Sequence, residues 1–156
     1  FQRDMKGSSL PAVFISFASA KDPTYQARHP GKHVGLVIAP AYYKDYEKFK
    51  DLRVKHRGPE YEKLKQELTD RLLQVLFLEF PHLKDKVDYV SLGTPVTCDY
   101  YLGNHRGAVY GLSHTPQRYR SDDLTSPTTP IRNLYLTGQD VLCNGIGGAA
   151  GAGLIT

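Results

Sequence analysis

The sequence predicts a mixed α/β fold, and three observations support that prediction. Short apolar runs rich in β-branched and aromatic residues recur along the 156-residue chain, which indicates buried strands. One long stretch, from about Glu60 to Glu79, instead spaces its apolar residues three or four apart, as an amphipathic helix does. Apolar residues make up 40% and charged residues 23% of the chain, proportions that are typical of a globular domain.

Four segments are predicted as strands: Pro11–Ser19, His33–Pro40, Asp85–Pro95 and Asn133–Gly138. The first two are apolar and are joined by a polar, proline-containing loop, so we expect them to pair in one sheet. The third alternates apolar and polar residues before it meets a glycine and a proline. The polar stretch from Ser113 to Arg132 is predicted as a loop.

Two helices are predicted in the middle of the chain. Ala41–Leu52 is expected to form a short one. For the helix that follows, Gly58 and Pro59 are typical of a start, acidic residues occupy the first turn, and Pro81 marks the end. Its apolar stripe is interpreted as core packing and comprises Tyr61, Leu64, Leu68, Leu72, Val75 and Leu76.

The distribution of charge and the spacing of the Cys and His residues argue against nucleic-acid binding and against a metal site. The net charge is +4, and no run of Lys or Arg is long enough to indicate nucleic-acid binding. Cys98 and Cys143 are the only cysteines and form neither a disulfide framework nor a zinc motif. His29 and His33 have helical zinc-site spacing, but a proline and a glycine lie between them, so we interpret them as loop residues and predict no metal.

The two ends of the sequence suggest a piece of a longer polypeptide. The chain begins with Phe1 rather than methionine, and it stops within a glycine-rich stretch that is typical of a helix. It contains no signal peptide and no apolar run long enough to cross a bilayer. The missing targeting signals therefore say little about location.

The glycine-rich tail, "NLYLTGQDVLCNGIGGAAGAGLIT", contains a literal match to the dinucleotide pattern at Gly145–Ala150. A true dinucleotide fingerprint also needs a following helix, a second strand and an acid about 20 residues further on. The few residues that remain cannot supply them, so we reject this interpretation.

A different interpretation of the tail fits the residues better. Asp140 follows the predicted strand, and a helix of Gly and Ala begins near Gly147. A carboxylate can accept hydrogen bonds from ribityl hydroxyls, and a bare helix start offers unpaired amide groups to the O2 of an isoalloxazine ring. The tail could thus hold a flavin. The alternative is a Gly/Ala-rich helix packed against a sheet without a ligand.

These residues resemble a known family. "NLYLTGQD" followed by "GIGGAAGAG" is similar to the C-terminal flavin motif of the phytoene desaturase and carotenoid isomerase group of FAD-dependent oxidoreductases. "VFISFASAKDPTYQARHPGK", "LKDKVDYVSLGTPVT" and "YYLGNHRGAVYGL" are similar to the retinol-reducing branch of that group. The resemblance implies the C-terminal part of a Rossmann-like flavoprotein, with residues 1–94 in a mixed-sheet substrate domain and residues 95–156 returning to the FAD-binding domain.

The resemblance also implies site residues. The implied cofactor-binding residues are Gln139, Asp140, Gly145, Ile146, Gly147, Gly148 and Ala149. A second set is implied to approach the flavin and substrate from the other side, although ordinary core packing is an alternative for its tyrosines; it comprises Tyr101, Gly103, Gly107, Tyr110 and Gly111.

The activity implied by the resemblance is saturation of the 13,14 double bond of retinol to a dihydroretinol, with FAD as cofactor and NAD(P)H as electron donor. A small apolar polyene would be the substrate, and the full-length protein would associate peripherally with the endoplasmic reticulum membrane. Tyr101, Tyr110 and His114 are open candidates for the proton donor, and no catalytic residue is assigned. Two alternatives stay open: a carotenoid desaturase or isomerase, and a non-catalytic lipid-binding module.

Overall fold

The computed structural model describes residues 12–156, which divide between Leu102 and Gly103 into two compact units. The described residues combine helices with one small two-stranded sheet, which confirms the mixed α/β class. The Rossmann-like part of the predicted fold stays a prediction. So does the division of the chain at residues 94 and 95 into substrate and cofactor segments.

Strands and α-helices follow one another in this order: β1 Phe14–Ser16, α1 Tyr25–Arg28, β2 Leu36–Ile38, α2 Pro59–Glu79, α3 Pro95–Leu102, α4 Pro116–Tyr119, α5 Asp122–Thr125 and α6 Gly145–Ile155. Single turns of 3₁₀ helix lie between them, at Ala18–Ala20, Tyr43–Asp45, Glu47–Phe49, Pro81–Leu83 and His105–Gly107. The first unit contains β1 to α3, and the second contains α4 to α6.

The two apolar segments at the start of the chain pair as expected. Strands β1 and β2 are antiparallel, with Phe14 opposite Ile38 and Ser16 opposite Leu36. Both strands are shorter than the apolar runs that predicted them, and residue 11 of the first run lies outside the described residues. The first run ends early because the chain turns at once into a 3₁₀ helix after Phe17, whose carbonyl accepts from the Ala20 amide at 3.1 Å.

Helix α2 confirms the longest element that the sequence predicts. Gly58 precedes it with a φ of 86°, a left-handed value that favours glycine, and Pro59 occupies the first turn. Tyr61, Leu68 and Leu76 of the apolar stripe are buried, and the other three members are half-buried. The stripe therefore faces the core, as its spacing predicts.

The core of the first unit is a cluster of aromatic and aliphatic side chains around α2. Its buried members are Tyr46, Phe49, Tyr61, Leu68 and Val96. The Phe49 and Tyr61 rings meet edge to face, with centroids 5.1 Å apart. The Tyr61 hydroxyl shares a hydrogen bond of 2.7 Å with the Thr94 hydroxyl, so the polar tip of this buried ring is satisfied. Burial raises the pKa of Tyr46 to about 12.

Four sequence predictions are wrong, the first three in segments for which one helix or one strand was expected. Ala41–Leu52 forms two single 3₁₀ turns rather than one helix. Residues 85–94 form no strand in the described part of the chain, and Pro95 begins α3. Asn133–Gly138 contributes only an isolated bridge between Tyr135 and Thr128.

A common physical reason explains the two missing strands. Alternation of apolar and polar residues produces a strand only where a partner strand pairs with it. Tyr89 is 83% exposed and has no such partner among the described residues.

The segment predicted as the loop from Ser113 to Arg132 contains the two short helices α4 and α5.

Candidate functional site

The loop between Gly138 and helix α6 lies at the centre of the candidate site. Gly138 has a φ of 98°, and its carbonyl accepts from the Val141 amide at 3.1 Å, so the chain turns sharply at this point. Val141 is buried in the second unit, while Asp140 beside it is exposed. The turn therefore anchors the loop through an apolar side chain and leaves a carboxylate accessible to solvent.

Gln139 connects the start of this loop to the start of α6. Its Oε1 accepts from the Gly145 amide at 3.3 Å, which satisfies the first amide of the helix. Gly145 has a φ of 83°, which glycine adopts readily. The helix begins at Gly145, two residues earlier than the sequence predicts.

The next two amides, those of Ile146 and Gly147, have no carbonyl one turn back within the helix. Ile146 is 91% exposed, and a Cβ at Gly147 would meet no atom within 4 Å. The helix start is thus open on the side of these two residues, and its amide groups and dipole favour a negatively charged or polarised group.

Gly148 has the opposite environment. It is buried, and a Cβ at this position would lie 1.8 Å from the Cys143 carbonyl oxygen. This glycine lets the helix pack on its own entry loop, so its role in the structure is close packing. Ala149, the last of the predicted site residues, is half-buried in the same turn.

Asp140 makes a contact that the sequence did not predict. Its Oδ1 accepts from the backbone amide of Leu112 at 2.7 Å, which joins the loop to a segment 28 residues earlier. Gly111 makes this approach possible: its φ is 66°, and a Cβ there would lie 2.0 Å from Asp140 Oδ1. Gly111, a member of the glycine series predicted to face the site, therefore contacts Asp140.

The candidate proton donors belong to different units. Tyr110 and His114 lie in the second unit, whereas Tyr101 belongs to α3 of the first. Tyr101 is 58% exposed and packs edge to face on Tyr100, with ring centroids 4.9 Å apart. Tyr110 is 56% exposed and has a φ of 66°, and the His114 ring lies 6.1 Å from that of Tyr119.

Arg118 is the residue that sequence reasoning missed. It is 4% exposed and donates to backbone carbonyls of the candidate site, although its segment was interpreted as a polar loop. The signal that could have found it is the Thr115–Pro116 pair, which is typical of a helix start. Thr115 caps α4 by accepting from the Arg118 amide at 3.3 Å.

Two other residues singled out in the sequence, His29 and His33, belong to the first unit. His33 Nδ1 is 3.4 Å from the Ser19 hydroxyl, and the His29 ring packs on Tyr25. Within residues 12–156, no group of three or more ligating side chains is arranged to hold a metal ion. Nor does any helix in that range have the length and apolar character needed to cross a bilayer.

The geometry at the loop fits the FAD that the resemblance implies. Asp140 offers an accessible carboxylate to hydroxyl groups, and the open amides of Ile146 and Gly147 suit a polarised carbonyl. The small residues of α6 leave space at the helix start for a flat ring. That these residues bind a flavin stays a prediction.

The relatives of this chain are oxidoreductases. Over nearly all of its length the chain is similar to all-trans-retinol 13,14-reductases: it is 37% identical to that of Danio rerio over 149 residues, 38% to that of Rattus norvegicus over 148, and 36% to that of Homo sapiens over 155. These matches cover 94–98% of the chain. They confirm the resemblance: the chain is a relative of the all-trans-retinol 13,14-reductases.

The chain spans about a quarter of the length of the curated relatives it matches, 24–25%. It is also 32% identical, over 152 residues, to an inactive all-trans-retinol 13,14-reductase of Danio rerio. No family model matches the chain, and no solved structure is significantly similar to it.

Proposed function

We propose that this chain is the C-terminal part of a FAD-dependent oxidoreductase that saturates the 13,14 double bond of all-trans-retinol to give a dihydroretinol. The names of the relatives support the reaction and the retinoid substrate. The FAD requirement is supported by the tail motif. The observation on which the proposal chiefly depends is the loop from Gln139 to Gly145, where an exposed carboxylate and an open helix start lie at the two ends of one short turn.

In this proposal Asp140 and the amides of Ile146 and Gly147 hold the cofactor. Gln139 and Gly148 act indirectly, since one satisfies the first amide of α6 and the other packs the helix on its entry loop. Bound FAD would supply the hydride for the double bond, with NAD(P)H as the source of electrons. The chain would also supply a proton, for which Tyr110 and His114 of the second unit and Tyr101 of the first are candidates.

The same proposal includes a location. Retinol is apolar and partitions into lipid, so an enzyme that takes it up gains by lying on a membrane surface. We place the full-length protein peripherally at the endoplasmic reticulum membrane, on the basis of the family resemblance.

A second candidate function is a non-catalytic, lipid-binding role, and the inactive relative favours it. The segment that this chain matches is present in active and inactive relatives alike. Similarity over this segment therefore does not by itself separate a reductase from an inactive homologue.

Flavin content tests the proposal. The full-length polypeptide that carries this chain should purify with the visible absorbance of bound flavin and should convert all-trans-retinol to a 13,14-dihydro product. Purification without flavin, even after incubation with FAD, would contradict the proposal. Flavin with no product from retinol but with product from a carotene would identify the carotenoid enzyme, and flavin with no product from either would favour the non-catalytic role.

Asp140→Ala tests the site itself. Loss of one hydrogen-bonded carboxylate costs about 1.5–3 kcal/mol, so we expect FAD to bind roughly 10-fold to 150-fold more weakly. Asp85→Ala is the matched control, since Asp85 is an exposed aspartate of the first unit. Equal flavin affinity in the two variants would remove Asp140 from the site.

A further inference from the structure

Arg118 is a buried cation whose charge faces backbone carbonyls. It belongs to α4 and is 4% exposed. In the described part of the chain no carboxylate forms an ion pair with it, and its Nε has no hydrogen-bond partner. A buried charge is stable only where polar groups replace the water that it has lost. Around Arg118 these polar groups are backbone carbonyls, and their positions show which segments of the chain the side chain fixes.

Those carbonyls come from both sides of the candidate site. One guanidinium nitrogen donates to the Leu112 carbonyl at 3.0 Å. The other donates to the carbonyls of Gln139 at 3.2 Å and Asp140 at 2.6 Å. Because the guanidinium is planar and rigid, three bonds from its two terminal nitrogens fix the acceptors relative to one another.

The same two segments meet a second time through Asp140. Its carboxylate accepts from the Leu112 amide, while its own carbonyl accepts from Arg118. Leu112 thus donates to Asp140 through its amide and accepts from Arg118 through its carbonyl. We call this arrangement of Arg118, Leu112 and Asp140, with Gly111 beside them, the arginine clamp.

We propose, on the basis of the flavin function proposed above, that Arg118 is a positioning residue for the cofactor loop. The clamp holds the main chain of Gln139 and Asp140 in one conformation. Asp140 is then preorganised to accept hydrogen bonds, and Gln139 is held where it reaches the Gly145 amide. Preorganised groups bind more tightly because they lose less conformational freedom on binding.

The test compares Arg118→Met and Arg118→Lys with Arg120→Met in the full-length polypeptide with bound FAD. Methionine keeps much of the length of the side chain without its charge and hydrogen-bond donors. Lysine keeps the charge but lacks the planar guanidinium with two donor nitrogens at its end. Arg120 is an exposed arginine two residues further along the chain and serves as control. We expect FAD to bind at least about tenfold more weakly in Arg118→Met, with partial recovery in Arg118→Lys and no change in Arg120→Met.

Two measurements separate positioning from a general loss of stability. The first is the visible absorbance band of the flavin that remains bound, which should change shape in the Arg118 variants. The second is the double variant Arg118→Lys with Asp140→Ala. If Arg118 acts through the loop, its effect on FAD affinity should largely disappear once Asp140 is absent, whereas independent roles would give additive effects.

Gly111→Ala tests the clamp without touching the arginine. The added Cβ would lie 2.0 Å from Asp140 Oδ1 and should push this carboxylate away from the Leu112 amide, which weakens FAD binding. Gly31→Ala is the control for backbone strain, since Gly31 has nearly the same φ, 67°, and no atom within 4 Å of the added Cβ.

The outcomes distinguish the two proposals. A wild-type polypeptide that binds no flavin would overturn the proposed function, and the role of Arg118 with it. A wild-type polypeptide that binds flavin, with the same affinity and absorbance in Arg118→Met and Arg118→Lys, would overturn the role of Arg118 alone. If Arg118→Met does not fold, Arg118→Lys and Gly111→Ala decide the question in the same way.

Discussion

Within residues 12–156 each unit contains one buried arginine, and the two side chains differ in the number of backbone carbonyls that they hold. Arg57 of the first unit is 6% exposed and lies over the Tyr61 ring, 5.2 Å from its centroid, with one hydrogen bond of 3.2 Å to the Val96 carbonyl. Arg118 of the second unit is 4% exposed and also lies 5.2 Å from the centroid of a tyrosine ring, that of Tyr119, but it donates to three backbone carbonyls instead of one. Both have an unpartnered Nε.

This difference shows how each unit is stabilised. In the first unit, aromatic packing around α2 supplies the core, and Arg57 is one more flat group in contact with it. In the second unit the buried residues include two glycine or alanine positions, Val141 and Arg118 itself, so hydrogen bonds and close backbone contact replace bulky side chains.

The largest expected effect is on the stability of the first unit, whose core is aromatic. Phe49→Ala should lower the free energy of unfolding by about 3–5 kcal/mol, because it opens a cavity in the aromatic core. Urea unfolding followed by circular dichroism measures this. Phe14→Ala is the control, since Phe14 is 58% exposed. Equal losses in the two variants would mean that the Phe49 cluster is not the core of the first unit.

A smaller effect is expected from close packing in the second unit. Gly148→Ala should cost about 1–3 kcal/mol, because its Cβ would overlap the Cys143 carbonyl oxygen, which belongs to the backbone and cannot rotate away. Gly153→Ala lies in the same helix with open space around it and should be neutral or slightly stabilising. The free energy of unfolding measured in urea compares the two, and equal values would show that α6 does not pack on its entry loop.

The smallest expected effect is a pH dependence confined to the first unit. The pKa of Tyr46 is about 12 in the folded protein and near 10 when unfolded, so between these values only the unfolded chain loses the proton. The resulting stability is complete below pH 10 and is lost as the pH rises toward 12. From pH 10 to about pH 11 the loss should be about 1 kcal/mol.

Tyr46→Phe provides the control for this pH dependence, because it keeps the ring and removes the titrating group. Stability measured in urea at both pH values should decline less steeply in Tyr46→Phe than in the wild type. Identical slopes would show that the Tyr46 hydroxyl titrates in the folded protein as it does in water.

The parts of the fold that could be predicted from sequence are those that local interactions determine. Helix α2 has its glycine-proline start, its acidic first turn and a regular apolar stripe, all within 21 residues, so its bounds were found almost without error. The pairing of β1 with β2 was also predictable, since both strands are apolar and close in sequence.

The parts that were missed depend on distant contacts. Residues 85–94 and 133–138 have strand-like composition, but pairing decides whether such segments become strands. At the candidate site, Asp140 and the helix start could be identified from the tail alone. The Thr115–Pro116 pair could have indicated the helix that carries Arg118, but not its role, because that role depends on carbonyls of residues 112, 139 and 140, and a carbonyl has no signature in the sequence.

Hydrogen exchange at the Leu112 amide reports how often the arginine clamp opens, because this amide donates to Asp140. A side-chain carboxylate protects that amide, so it can exchange with deuterated solvent only when Asp140 releases it. Amides within α2 exchange when the helix itself opens, which depends on the apolar core. The exchange rate at Leu112 thus measures how often the loop of the second unit opens, independently of how stable the first unit is.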